Sequence, residues 1–200
     1  MMRKAWKDAK DEDAKLRYAH VLGMLYDDTG FETLAKVVDA AEWDKGWNFR
    51  GMGQFGATTS PVDNLVIALG RTGRQEVVPV ILRKLEQLTP RSEFSHFRAV
   101  CMALEYLKPA AAATPLAKAL QQPGVSGHSF LEINDIIART PSNINDNSTR
   151  NNSLRELILA RALFRCGDHE GIAKGILEKY ASDYRGHYAK HARAILAERE

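Results

Sequence analysis

The chain is poor in the features that would set it apart from ordinary globular proteins. It has two cysteines, Cys101 and Cys166, too few for a disulfide framework. Both fall in apolar helical patterns, where free thiols are buried, so a reducing, cytoplasmic setting is expected. The longest uninterrupted apolar run, residues 99–104, is far too short to cross a membrane. The amino end, Met1-Met2-Arg3-Lys4-Ala5-Trp6, carries the charges of a signal peptide without the apolar stretch that must follow them. Charge of one sign is also scarce. Against 28 basic residues stand 25 acidic ones, and the net charge of +3 argues against nucleic acid or an anionic membrane as a partner. What remains is 44% hydrophobic and 26% charged residues over 200 positions, sufficient for a single domain spanning 1–200 with its own core.

The apolar residues recur at helical spacing. Val62, Leu65, Val66 and Leu69 occupy i, i+3, i+4 and i+7, as do Val78, Ile81, Leu82 and Leu85; Phe97, Val100, Cys101, Leu104 and Leu107 extend the pattern by a turn. No segment alternates as a half-buried strand does. Helix starts are expected at Thr29-x-x-Glu32, Ser60-x-x-Asp63, Ser129-x-x-Glu132 and Ser153-x-x-Glu156, each a capping box or its aspartate variant. Residues 1–10 read as a flexible tail and 141–152, rich in Asn and Ser, as an exposed loop.

The helices come in similar pairs. Leu22-Gly23, Leu69-Gly70, Leu104-Glu105 and Leu163-Phe164 each close a first helix, before a short polar turn and a second helix. The leucines lie 47, 35 and 59 residues apart. Such periods, built from two helices, predict an all-α HEAT- or armadillo-like solenoid of about four to five helix pairs with long inter-repeat loops.

In a solenoid the connections between pairs share one edge. Here they are residues 43–59, 89–95 and 121–129, and they hold most of the unusual side chains. Trp43, Trp47, Arg50, Gln54 and Phe55 in the first, Arg91, Glu93 and His96 at the second and His128 in the third form a candidate interaction edge, because aromatic anchors and arginine concentrate binding energy. An alternative stays open for Trp43 and Trp47: they fold the long loop back as a mini-core of its own. Gly51-Met52-Gly53-Gln54-Phe55-Gly56 matches the dinucleotide fingerprint, but no strand precedes it and no helix follows at once, so no cofactor site is assigned. His187 and His191 stand at i, i+4 without a third ligand, which gives no metal site. No nucleophile stands in a recognisable catalytic setting, so no catalytic residue is assigned.

Residues 42–56, from Glu42-Trp43-Asp44 through Gly51-Met52-Gly53-Gln54-Phe55-Gly56, resemble the C-terminal HEAT-repeat region of a family of bacterial FAD-dependent oxidoreductases. So do Ser60-Pro61-x-Asp63, Ser92-Glu93-Phe94-Ser95-His96-Phe97-Arg98 and Pro123-Gly124-Val125-Ser126-Gly127-His128. The resemblance implies that FAD belongs to a separate domain outside this chain. It implies a non-catalytic module whose loop edge docks a flavoenzyme domain or shapes its substrate mouth. The alternative is a free-standing protein-binding adaptor using a concave face, with contacts on second helices such as Arg83, Lys84 and Lys118.

Overall fold

The computed structural model describes residues 1–45 and 59–199. Among them are eleven α-helices, three short 3-10 turns and no strand. Helices α2 (Glu12–Met24), α4 (Pro61–Arg71), α6 (Phe94–Leu107) and α9 (Ser148–Arg165) pack successively on one another as a layer of first helices. Second helices α3 (Phe31–Ala40), α5 (Val78–Glu86) and α7 (Ala113–Leu120) form the other layer, each packed on the first helix of the next pair. Helix α10 (Ile172–Ala181) packs on α9, and α11 (Gly186–Leu196) closes that end against α10. This is the HEAT-like solenoid that the repeat predicts. No described helix is long and apolar enough to cross a membrane.

A three-residue register builds the first-helix layer. The repeat leucines Leu22, Leu69, Leu104 and Leu163 are all buried. Such burial contributes about 1.5–3 kcal/mol for each side chain. The residue after the leucine meets the residue before the leucine of the next repeat. A Cβ on Gly23 would lie 2.7 Å from the Ala68 carbonyl oxygen, and one on Gly70 only 2.4 Å from the Ala103 Cβ. Glycine is needed there because two backbones touch. In the third repeat the position holds Glu105, and a different arrangement follows.

The same register sets the helix ends. Four residues after each repeat leucine the backbone turns left-handed, at Tyr26 (φ 64°), Gly73 (φ 74°), Lys108 (φ 49°) and Gly167 (φ 120°). This is the helix-closing conformation that glycine adopts without penalty. In three repeats the leucine carbonyl itself receives the closing N–H, from Asp27, Lys108 and Asp168.

Several local expectations need correction. Residues 1–10 are not a tail: Met2–Asp8 is a helix, α1, packed on α2, with Trp6 against the core and Arg3 paired to Asp27. Ser60-Pro61-x-Asp63 is a full capping box. Thr29-x-x-Glu32 is not, since Gly30 caps α3. The start expected at Ser129 falls three residues later, where Glu132 and Asp135 box the short helix α8 (Ile133–Arg139). Ser153-x-x-Glu156 lies inside α9, which begins at Ser148 and so also takes up the end of the loop expected over 141–152. Both side chains are buried, and their polar groups serve tertiary contacts described below.

Candidate functional site

The residues marked from the sequence do not form one surface. Trp47, Arg50, Gln54 and Phe55, with the glycine-rich string, lie outside the described residues. Trp43 is half-buried and packs on the core, its indole N–H donating to the Lys84 carbonyl at 3.4 Å. The Trp43 ring stacks on His96, with centroids 4.3 Å apart. His96 is only 3% exposed. Its Nδ1 lies 2.7 Å from a carboxylate oxygen of Asp63 and its Nε2 3.1 Å from the Asp44 carbonyl. Both ring nitrogens therefore face acceptors, and the geometry suits the doubly protonated imidazolium. Burial alone pushes the His96 pKa down, but the bond and charge of Asp63 outweigh it and the net shift is upward. Trp43 and His96 thus fasten the start of the first connection to α4 and α6. Buried as it is, His96 does not present itself to a partner.

Arg91 and Glu93 border a separate cavity of about 340 Å³ beside Arg155. The buried Arg155 guanidinium donates to the Pro90 carbonyl and lies over the Phe97 ring at 5.1 Å, tying α9 to the second connection. His128 belongs to a third cluster. The Glu156 carboxylate accepts from the Gly127 and His128 backbone N–H groups and from the Tyr180 hydroxyl, at 2.8, 2.8 and 2.9 Å. Arg185 and Ser153 both donate to the His128 carbonyl. These groups hold the connections in place, and a string pattern cannot separate such holding from presentation.

Two of the three second-helix cations marked from the sequence are engaged, while Lys118 is exposed. Lys84 is 1% exposed and donates to the Ala41 carbonyl, while Arg83 pairs with Asp39.

A further concavity lies on the other layer. A groove of about 640 Å³ crosses the first helices. One wall is aromatic: Tyr26 and Tyr106 stand with ring centroids 5.3 Å apart, 56% and 47% exposed. Arg71 lies over the Tyr26 ring at 5.2 Å and donates to the Met24 carbonyl. The floor is apolar, with Met102 and Ile158 among its residues, and the far wall belongs to α9. There Arg161 and Arg165 hold the two oxygens of Glu105 at 2.6 and 2.8 Å, and Arg165 also grips Glu198. Arg161 donates further to Nε2 of His191, at 3.3 Å. Burial, then the two arginine charges, lower the His191 pKa and keep the ring neutral to accept that bond.

Charge in the groove is one-sided. Among the described residues five arginines line it, against the single carboxylate of Glu105, and no lysine. Among the described residues, half-buried Arg98 has no hydrogen bond or ion pair, and Arg71 bonds only neutral groups of Met24. The signal was present in the sequence as two polar-side stripes. Arg98, Met102 and Tyr106 recur every four residues along α6. Along α9, Arg150, Leu154, Ile158, Arg161 and Arg165 do the same at i, i+4, i+8, i+11 and i+15.

No protein-family model matches the sequence, and no curated protein matches it. Among solved structures the chain is similar to the complex of CpcE and CpcF of phycocyanin lyase from Nostoc sp. PCC7120. The similarity is 18% identity at a TM-score of 0.47, over 98% of this chain and 74% of the other. The resemblance to FAD-dependent oxidoreductases is therefore incorrect. No family model supports it, and the structure that matches is a phycocyanin lyase complex, not a flavoprotein.

Proposed function

We propose that this chain is a non-catalytic helical-repeat adaptor that holds a protein partner in the groove across its first helices. The observation that carries the reading is the exposed Tyr26–Tyr106 pair set beside arginines over an apolar floor. Tyrosine and arginine over a desolvated floor is the composition of binding hot spots. Large aromatics left in water are otherwise unfavourable, and stacked repeats commonly bind through such concave surfaces. The two free, buried thiols support a reducing, cytoplasmic setting.

The test compares three forms of the chain as bait in extracts of its source cells, each first checked by circular dichroism. A protein held by wild type and by Trp47→Ala/Arg50→Ala, but released by Arg98→Glu/Tyr106→Ala, supports the groove. The reverse pattern returns the function to the loop edge of Trp43, Trp47, Arg50, Gln54, Phe55, Arg91, Glu93 and His128, and overturns the reading.

A further inference from the structure

Resting on that reading, we infer that the groove's occupant is an acidic segment of a protein, with carboxylates flanking an apolar or aromatic side chain. Three observations combine. The lining carries five arginines against one glutamate, in a chain whose overall charge is nearly balanced, so the excess is local. Among the described residues Arg98 and Arg71 have no carboxylate partner, and planar guanidinium groups bind carboxylates in pairs of parallel hydrogen bonds. Between them lies an apolar strip, roofed on one side by the tyrosine pair, with room for a side chain that is not charged.

The chemistry favours protein over nucleic acid. A polyanion requires a long basic track that follows its phosphates, and this patch is short and interrupted by Glu105. An acidic segment alternating carboxylate and apolar groups matches the lining, with its carboxylates toward Arg71 and Arg98 and its apolar group on Met102 and Ile158.

Tyr26 stands at the rim of the groove. Its φ of 64° is a conformation that side chains disfavour, at a repeat position where two of the four repeats carry glycine. A tyrosine kept in strained backbone and left 56% exposed gains little for folding.

Fluorescence anisotropy tests the inference with three labelled probes. One is a peptide of about sixteen residues, glutamate with leucine and phenylalanine at helical spacing; one is its glutamine counterpart; one is an oligothymidylate of equal charge. Binding of the glutamate peptide alone, weakening as salt rises and falling about tenfold or more in Arg98→Glu, is the expected result. Tyr26→Gly is expected to weaken binding while its melting temperature stays within about 2 °C of wild type, since the lost ring contact is offset by relief of the backbone. Equal binding of the glutamine peptide, tighter binding of the oligothymidylate, or no binding of the glutamate peptide overturns the inference. If the glutamate peptide fails while the groove variant still loses its partner from extracts, the adaptor reading stands and only the acidic occupant falls.

Discussion

At each repeat a single residue closes the first helix in left-handed backbone, and the four residues that do so are chemically unlike. Gly73 and Gly167 accept the conformation freely; Tyr26 and Lys108 do so at a cost of about 1 kcal/mol each. Lys108 is exposed. Lys108→Gly is therefore expected to stabilise the chain by about 0.5–1 kcal/mol, raising the melting temperature by about 2–3 °C. Gly73→Ala, which meets nothing closer than the Tyr106 ring at 3.8 Å, is expected to lower it by a similar amount through backbone strain alone. Scanning calorimetry of the two variants checks the repeat register, because the signs are opposite at equivalent positions.

Glycines within the helices separate in the same way according to what each helix touches. Gly70→Ala places a methyl group inside α6 and is expected to cost roughly 3 kcal/mol or more, measured by urea denaturation. Gly175→Ala on α10 meets no atom within 4 Å and is expected to stabilise by about 0.5–1 kcal/mol. The junction of α4, α6 and the first connection adds a pH dependence through His96 and Asp63. Burial opposes the Asp63 charge, but its bonds to His96 and Ser60 prevail and its pKa falls, while that of His96 rises. The raised histidine contributes stability that is complete below its unfolded pKa, about 6.5, and is lost as pH climbs through the higher folded value. The lowered aspartate contributes stability that is complete above about pH 4 and is lost as pH falls through its depressed folded value. Melting temperatures of wild type are thus expected to decline as pH rises above about 6.5, with a shallower decline in His96→Gln. Equal slopes in the two proteins would refute the assignment.

The helix pairs could be read from the sequence because each leucine stripe repeats every 3.6 residues and its turn follows at a fixed distance. Caps were legible only where the capping side chain had no competing tertiary partner. Ser60 caps α4, whereas Ser153 is drawn to the His128 carbonyl and Glu156 to the backbone of the third connection. The groove was not legible as a site. Tyr26, Arg98 and Arg161 come from three repeats, and stacking alone brings them to one cavity. Trp43 and His96, by contrast, attracted attention as unusual residues in connections, although they are unusual because they hold those connections to the core.

Across the whole stack, each unit is held by its neighbours, so damage is expected to stay near its origin. In Gly70→Ala, hydrogen exchange measured by mass spectrometry is expected to accelerate in α2, α4 and α6 while amides of α10 and α11 keep their protection. Uniform acceleration along the chain would show instead a single cooperative unit. Where Gly23 and Gly70 bring backbones into contact the layer is tight, and at Glu105 an ion-paired spacer stands in place of that contact. The groove spans that junction. A molecule lodged there is expected to act as a splint, fixing the pitch of α4, α6 and α9 across the junction.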